Sequence, residues 1–251
     1  LGPRIFTSGP KLDGSRPAWA GSIKIENKED IAPALDSLQS IGADYVKMYD
    51  GSLSKEHFYA IIEAAEKRNL KTTGHMPMSG DLKKAVGLGL DGSEHMYYLM
   101  KACSPKADSL TQLNLGYGMM ETITATYDQL LAAEFFAELA EKEVYITPTM
   151  YIQKVLGELA DVSHAADSLL PRIGKGIQKT YEGRVRSAQR AKASGSQMRE
   201  KVSALTQKMI PEMFAAGVPI LAGSDGGPSN SFVYPGEALW GELFSLNATG
   251  L

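Results

Sequence analysis

The chain is poor in the residue types that point to a compartment or a large partner. It has one cysteine in 251 residues, Cys103, which excludes an internal disulfide framework. A lone thiol without a partner base reads as buried or incidental rather than nucleophilic. No apolar run approaches the roughly 18 residues needed to cross a bilayer, and the longest candidate, from Tyr127 to Ala140, is interrupted by acidic residues. Lys and Arg number 26 against 29 Asp and Glu, for a formal net charge of −3. No basic surplus therefore points to nucleic acid or to an anionic membrane. The partner expected is a small-molecule substrate, and a homo-oligomer stays open. No Gly-x-Gly-x-x-Gly follows the first strand, which removes a dinucleotide domain, because Gly87-Leu-Gly89 follows a helical pattern instead. Histidine is scarce, with four in the chain. The sequence opens at Leu1 with neither Met nor a charged-then-apolar leader. It is expected to be a portion of a longer chain, and the compartment stays open.

What is present is a globular composition, 43% hydrophobic and 22% charged, with strand-like runs followed by helical patterns. That alternation argues for parallel α/β architecture. Strands are expected at Pro3 to Thr7, Asp44 to Met48, Leu70 to Gly74, Leu90 to Glu94, Val144 to Thr147 and Val218 to Ala222. The Gly-, Pro- and Ser-rich stretch from Ser8 to Lys24 reads as a loop. Helices are expected from about Lys28 to Ile41, stopped by Gly42, and after Ser54, where Phe58, Ile61, Ile62 and Ala65 follow helical spacing. Others are expected at Asp81 to Leu88, Tyr127 to Glu141 and Tyr234 to Leu246, with Ser104 to Thr124 as an insertion. Residues 150–215 read as a helical insertion. Its basic stretch, Arg184, Arg186, Arg190, Lys192, Arg199 and Lys201, is the solvated face of a helix. The fold class is α/β, a TIM-like (β/α)8 barrel that is incomplete here. About six strands are visible where closure needs eight, and the first strands are missing. Residues 1–251 read as one domain.

Four polar residues close successive strand-like runs: Lys47, His75 in Thr72-Thr-Gly-His75, His95 in Gly92-Ser-Glu-His95, and Asp225 in Leu221-Ala-Gly-Ser-Asp225. In a βα barrel the strand C-termini share one rim, so such residues converge however far apart they lie in sequence. Neutral imidazole is the commonest metal ligand, and its ring is normally oriented by an acceptor behind it, here Glu94 or a backbone carbonyl. A free ammonium binds no metal. A desolvated lysine loses its proton more readily and can then take up carbon dioxide as a carbamate that bridges two cations. His57 and His164 lie in polar helical contexts and read as structural.

The order of these residues resembles the metal-dependent amidohydrolase superfamily, especially its prolidase-like and imidazolonepropionase-related members. The most specific stretch runs from Gly74-His-Met-Pro77 to Gly92-Ser-Glu-His95, and the likeness extends from Gly2-Pro-Arg to Glu242-Leu243. The resemblance implies that a carboxylated Lys47 bridges two divalent ions, zinc first, with manganese or iron as alternatives. His75 and His95 would bind the more exposed ion, while Asp225 would bind the other and carry the proton. Thr147-Pro-Thr149 resembles the end of the seventh strand. Tyr97 and Tyr98, after His95, are candidates for substrate binding or for packing. The family's first-strand His-x-His is absent, since no two histidines here lie two apart. Trp240 stands near where relatives often carry a histidine.

The function implied is hydrolysis of an amide-type C–N bond, as in a dipeptide or cyclic amide, by a metal-activated hydroxide. Asp225 would act first as base and then as acid. Two alternatives remain. One is a mononuclear deaminase of the same superfamily, and the other is a catalytically silent binding or assembly domain.

Overall fold

The computed structural model describes residues 2–227 and 230–251. The chain divides into two compact units, Leu1–Ile146 with Ala216–Pro219, and Thr147–Ala215 with Ile220–Leu251.

In the first unit, short parallel strands alternate with helices. β1 (Leu12–Asp13), β2 (Ile23–Lys24), β3 (Tyr45–Met48) and β4 (Lys71–Gly74) form one sheet in the order β2-β1-β3-β4. All three of its pairings are parallel. Parallel neighbours need crossover connections. Here α1 (Ile31–Ser40) joins β2 to β3, and α2 (Lys55–Glu66) joins β3 to β4. α3 (Leu82–Gly87) leads to β5 (Gly92–Glu94), which pairs with β6 (Tyr145–Thr147). α2 shows how the sequence builds these crossovers. The Ser54 hydroxyl accepts a hydrogen bond from the His57 backbone N–H at 3.1 Å, satisfying a donor that the first turn leaves open. Phe58, Ile61, Ile62 and Ala65 then fall on one face and are all fully buried. Each of the larger three is worth roughly 1.5–3 kcal/mol relative to exposure.

Between β5 and β6 lie α4 (Tyr97–Ala102), α5 (Ala107–Leu113), α6 (Met120–Ala125) and α7 (Gln129–Glu141). The expected insertion at Ser104 to Thr124 is thus helical in two short pieces. Asp128 caps α7 by accepting from the N–H groups of Leu130 and Leu131.

Three strand expectations need correction. Pro3 to Thr7 forms no strand; Ile5 is 77% exposed and Phe6 58%. At its end the backbone of Thr7 pairs with Asp44. Val218 to Ala222 is reduced to a single bridge residue, Ile220. Conversely, β1 and β2 arise inside the stretch read as a loop. A strand is defined by its neighbours, and β1 has partners on both sides, β2 and β3. Among the described residues the strands close no barrel.

The second unit is helical. α8 (Met150–Glu158) packs against α10 (Met198–Ala215) and α11 (Glu237–Ala248), and α9 (Lys175–Ala193) precedes α10. α10 buries Val202, Leu205, Thr206, Met209, Ile210 and Met213, a stripe at helical spacing. α9 buries only Tyr181; of the basic stretch Arg186, Arg190, Lys192 and Arg199 are exposed, while Arg184 and Lys201 are half-buried. Glu242 on α11 is fully buried and accepts the Tyr151 N–H at 2.7 Å, fastening α11 to the first turn of α8.

Candidate functional site

The register of β3 against β4 sets Lys47 opposite Thr73 and Met48 opposite Gly74. Side chains alternate along a strand. Val46 and Met48 are fully buried on one face, and Lys47 points to the other. Just past β4 the His75 N–H donates to the Met48 carbonyl at 3.1 Å. Gly74 makes this close approach possible. Its φ is +136°, and a Cβ there would lie 2.1 Å from the Met48 oxygen. Gly92 at the start of β5 is covered by the ring of Tyr145, which would stand 2.2 Å from an added Cβ. His95 follows β5 in the left-handed region, φ +64°, a conformation uncommon outside glycine and locally strained.

These strand ends bring two imidazoles together edge to face. His95 Nε2 lies 2.9 Å from His75 Nε2, and the rings meet at 72°. Glu94 forms an ion pair with Lys47. Its Oε2 is also 3.3 Å from His75 Nδ1, although that nitrogen makes no hydrogen bond. Thr73 donates to the other Glu94 oxygen at 3.4 Å. Glu94 therefore serves Lys47 and approaches His75, rather than standing behind His95. Tyr49 packs on His75 with 4.4 Å between ring centroids.

Burial disfavours the imidazolium of both rings. It holds His75 well below the usual range, with the charges of His95, Lys47 and Lys11 adding to the effect. His95 is lowered to about 4 by burial and then by Lys47. Both rings are neutral near pH 7, the form that binds a metal.

Asp225 belongs to the second unit, where it lies in irregular chain. Its φ is +45°, and its carbonyl accepts from Asn230 Nδ2 at 2.5 Å. Gly223, two residues earlier, lies against Thr147, whose Cγ2 would be 2.3 Å from an added Cβ. Thr149 is buried with φ +53°, a true outlier for a β-branched residue.

Tyr97 is half-buried beside His95, 5.9 Å between ring centroids. Tyr98 is fully buried, and its hydroxyl lies 3.0 Å from that of Tyr117 and 3.5 Å from Asp50 Oδ2. Tyr97 thus flanks the imidazole pair, while the buried Tyr98 hydroxyl meets Asp50 and Tyr117, the latter 41% exposed. Burial raises the Asp50 carboxyl, partly opposed by the bond from Tyr117. Asp50 and Tyr117 escape a reading by strand ends because their partners come from distant segments. Cys103 is buried, and His164 lies in irregular chain rather than in the expected polar helix, stacked on Phe232 at 3.6 Å. Among the described residues no three His, Cys, Asp or Glu side chains gather as a metal-binding group.

The imidazole pair fits part of such a centre. Two ligands of a tetrahedral cation hold their nitrogens about 3.3 Å apart, a few tenths of an ångström beyond the observed 2.9 Å. Lys47 fits only conditionally. Carboxylation would set a second anion against Glu94, which needs cations between them.

No family model matches this chain, and no curated protein matches it. Solved structures do. The bottromycin amidohydrolase AH superposes with a TM-score of 0.66 at 19% identity, over 99% of this chain and 52% of that one. A Xaa-Pro dipeptidase with methionine bound in its active site gives 0.56 at 16%, over 100% and 53%. The A. niger ochratoxinase gives 0.53 at 12%, over 100% and 51%. The chain spans about half the length of each.

Proposed function

Because this chain shares its fold with amidohydrolases and a dipeptidase over about half their length, we propose that it carries the histidine pair of a metal-dependent hydrolase of amide-type C–N bonds. A dipeptide or a cyclic amide is the substrate class in view. The incomplete barrel belongs to the same proposal, with residues 1–251 as part of one barrel domain. The observation that carries it is the pair of buried, neutral imidazoles whose Nε2 atoms face each other at 2.9 Å beside the Lys47–Glu94 ion pair.

His75 and His95 would hold a divalent cation, zinc first, through these nitrogens. When bound, such an ion polarises a carbonyl and acidifies water. Glu94 neutralises Lys47 and approaches His75 Nδ1 at 3.3 Å without a hydrogen bond to it. A carbamate on Lys47 would place a second anion beside Glu94, and a second cation would be needed to balance it. Tyr97 would line the substrate side of His95. For Asp225 the resemblance implies a proton carrier, first base and then acid.

One observation favours a silent binding domain instead: among the described residues no three-ligand His, Cys, Asp or Glu group exists. Metal content separates the two readings. Protein purified without chelator and with bicarbonate should retain at least one equivalent of zinc or manganese, and His75→Asn with His95→Asn should lose it. Dipeptide hydrolysis should follow the metal. Absence of metal from the unaltered chain would sink the hydrolase reading.

A further inference from the structure

A cavity of 650 Å³ in the first unit takes no part in the chemistry above, and Asp50, Ser52, Pro77, Met78, Thr111 and Tyr117 are among the residues that line it. It adjoins the imidazole pair. Asp50 follows β3, the strand that carries Lys47, and Pro77 and Met78 follow His75. Tyr97, whose ring centroid is 5.9 Å from that of His95, lies 5.2 Å from Tyr117. The walls are braced. Buried Asp13 accepts the Ser52 N–H at 2.9 Å, and Lys101 donates to the Met78 carbonyl and the Thr111 hydroxyl. Bracing lowers the ordering cost of binding.

Asp50 is the charge that this cavity leaves unbalanced. Its Oδ2 accepts from the hydroxyls of Tyr117 at 3.0 Å and Tyr98 at 3.5 Å. Among the described residues no side chain donates to Oδ1, and no cation pairs with the carboxylate. The charge that acts on it is a like one, since Asp13 adds to the rise that burial causes. Lys55 and Glu56 also line the cavity and offset each other, so Asp50 sets its sign. A carboxylate withdrawn from water is ordinarily paired with a cation. A ligand cation would supply that pair, and the Tyr117 ring beside it would add a cation–π contact. A planar guanidinium suits both, because its N–H fork matches a carboxylate and its face stacks on a ring.

We infer that this cavity is the subsite for a cationic head group on the ligand, held by Asp50 with Tyr117, so that the chain favours amides bearing a basic side chain. The inference deepens the hydrolase reading and rests on it for the word substrate, while the binding stands on the cavity alone. Nα-acetyl-L-argininamide and its uncharged isostere Nα-acetyl-L-citrullinamide, titrated into chelator-treated protein by calorimetry, test it without turnover and without a free terminus. The arginine derivative should bind the unaltered chain on the order of tenfold more tightly, the scale of a hydrogen bond to a charged group. Asp50→Asn, which keeps an acceptor for the two tyrosines, should erase that preference. Should Asp50→Asn fail to fold, Gln112→Lys decides instead, an exposed change in the cavity lining. It should weaken the arginine derivative about threefold by charge repulsion and leave the citrulline derivative unchanged. Equal binding of the two probes, binding of neither, or an undiminished preference in the deciding variant would overturn the subsite. A chain that prefers the arginine derivative yet cleaves no dipeptide keeps the subsite and loses the hydrolase reading. One that cleaves dipeptides with neutral side chains as fast as basic ones does the reverse.

Discussion

Two lysines in the first unit are withdrawn from water, and they do opposite things. Lys47 on β3 has a side chain 16% exposed and meets a carboxylate, Glu94. Lys101 on α4 is more deeply buried, 1% exposed, yet among the described residues it touches no ionisable partner in hydrogen-bond range. It donates to the carbonyls of Met78 and Gly80, each at 2.5 Å, and to the Thr111 hydroxyl at 3.0 Å. Lys101 thereby ties the loop after His75 to α4 and α5. Depth of burial does not mark a lysine as functional; the chemistry of its neighbours does. A carbonyl cage fixes backbone, whereas a carboxylate and two imidazoles form a site whose charge state can change.

The comparison breaks most visibly in activity. Lys47→Met should reduce dipeptide hydrolysis by about a thousandfold or more, on the order of 4 kcal/mol in the transition state. Its stability cost should be only about 1 kcal/mol, the scale of a partly exposed ion pair. Turnover within tenfold of the unaltered chain would place Lys47 with Lys101 as a structural lysine. Lys101→Met should do the converse. It strands two carbonyls and a hydroxyl, for a loss of about 3 kcal/mol in urea unfolding, with turnover per folded molecule retained. A loss below 1 kcal/mol would mean that the cage is not holding the loop.

The smallest effect concerns alkaline pH. Burial pushes the Lys101 ammonium down to about 8, with Lys55 adding and Asp81 opposing. The folded pKa then lies below the unfolded value of about 10.4. The burial cost is fully present below pH 8 and is relieved as the folded state sheds its proton. Stability should therefore rise between pH 8 and about 10.4 by comparison with Lys101→Met. A difference between the two that is flat with pH would mean that the carbonyls keep the ammonium charged. A neutral amine still offers two N–H groups to two carbonyls, so the cage survives deprotonation.

Much of this organisation was legible along the chain. The face of α2 follows from helical spacing, and the positions of Lys47, His75 and His95 follow from apolar or β-prone runs that end in a polar residue. Pairing was not legible. Pro3 to Thr7 has a strand-like composition but lies exposed, while Leu12–Asp13 becomes a strand within a stretch whose glycines and prolines argue against one. The partners of Lys47 and Lys101 were hidden for a similar reason. Glu94 lies 47 positions from Lys47 in sequence, and the Lys101 carbonyls are backbone groups that no side-chain pattern signals.

Local chemistry written in the sequence determined where helices start, which of their faces are apolar, and that His75 and His95 follow strand ends, whereas Asp225 follows no strand. These depend on neighbours a few residues away, through capping and periodicity. Tertiary structure decided which short runs became strands, that the two imidazoles face each other, and which charge meets each buried lysine. Those outcomes depend on register and on segments brought together from far along the chain. The Met48 carbonyl reaches His75 only because Gly74 has no side chain in the way.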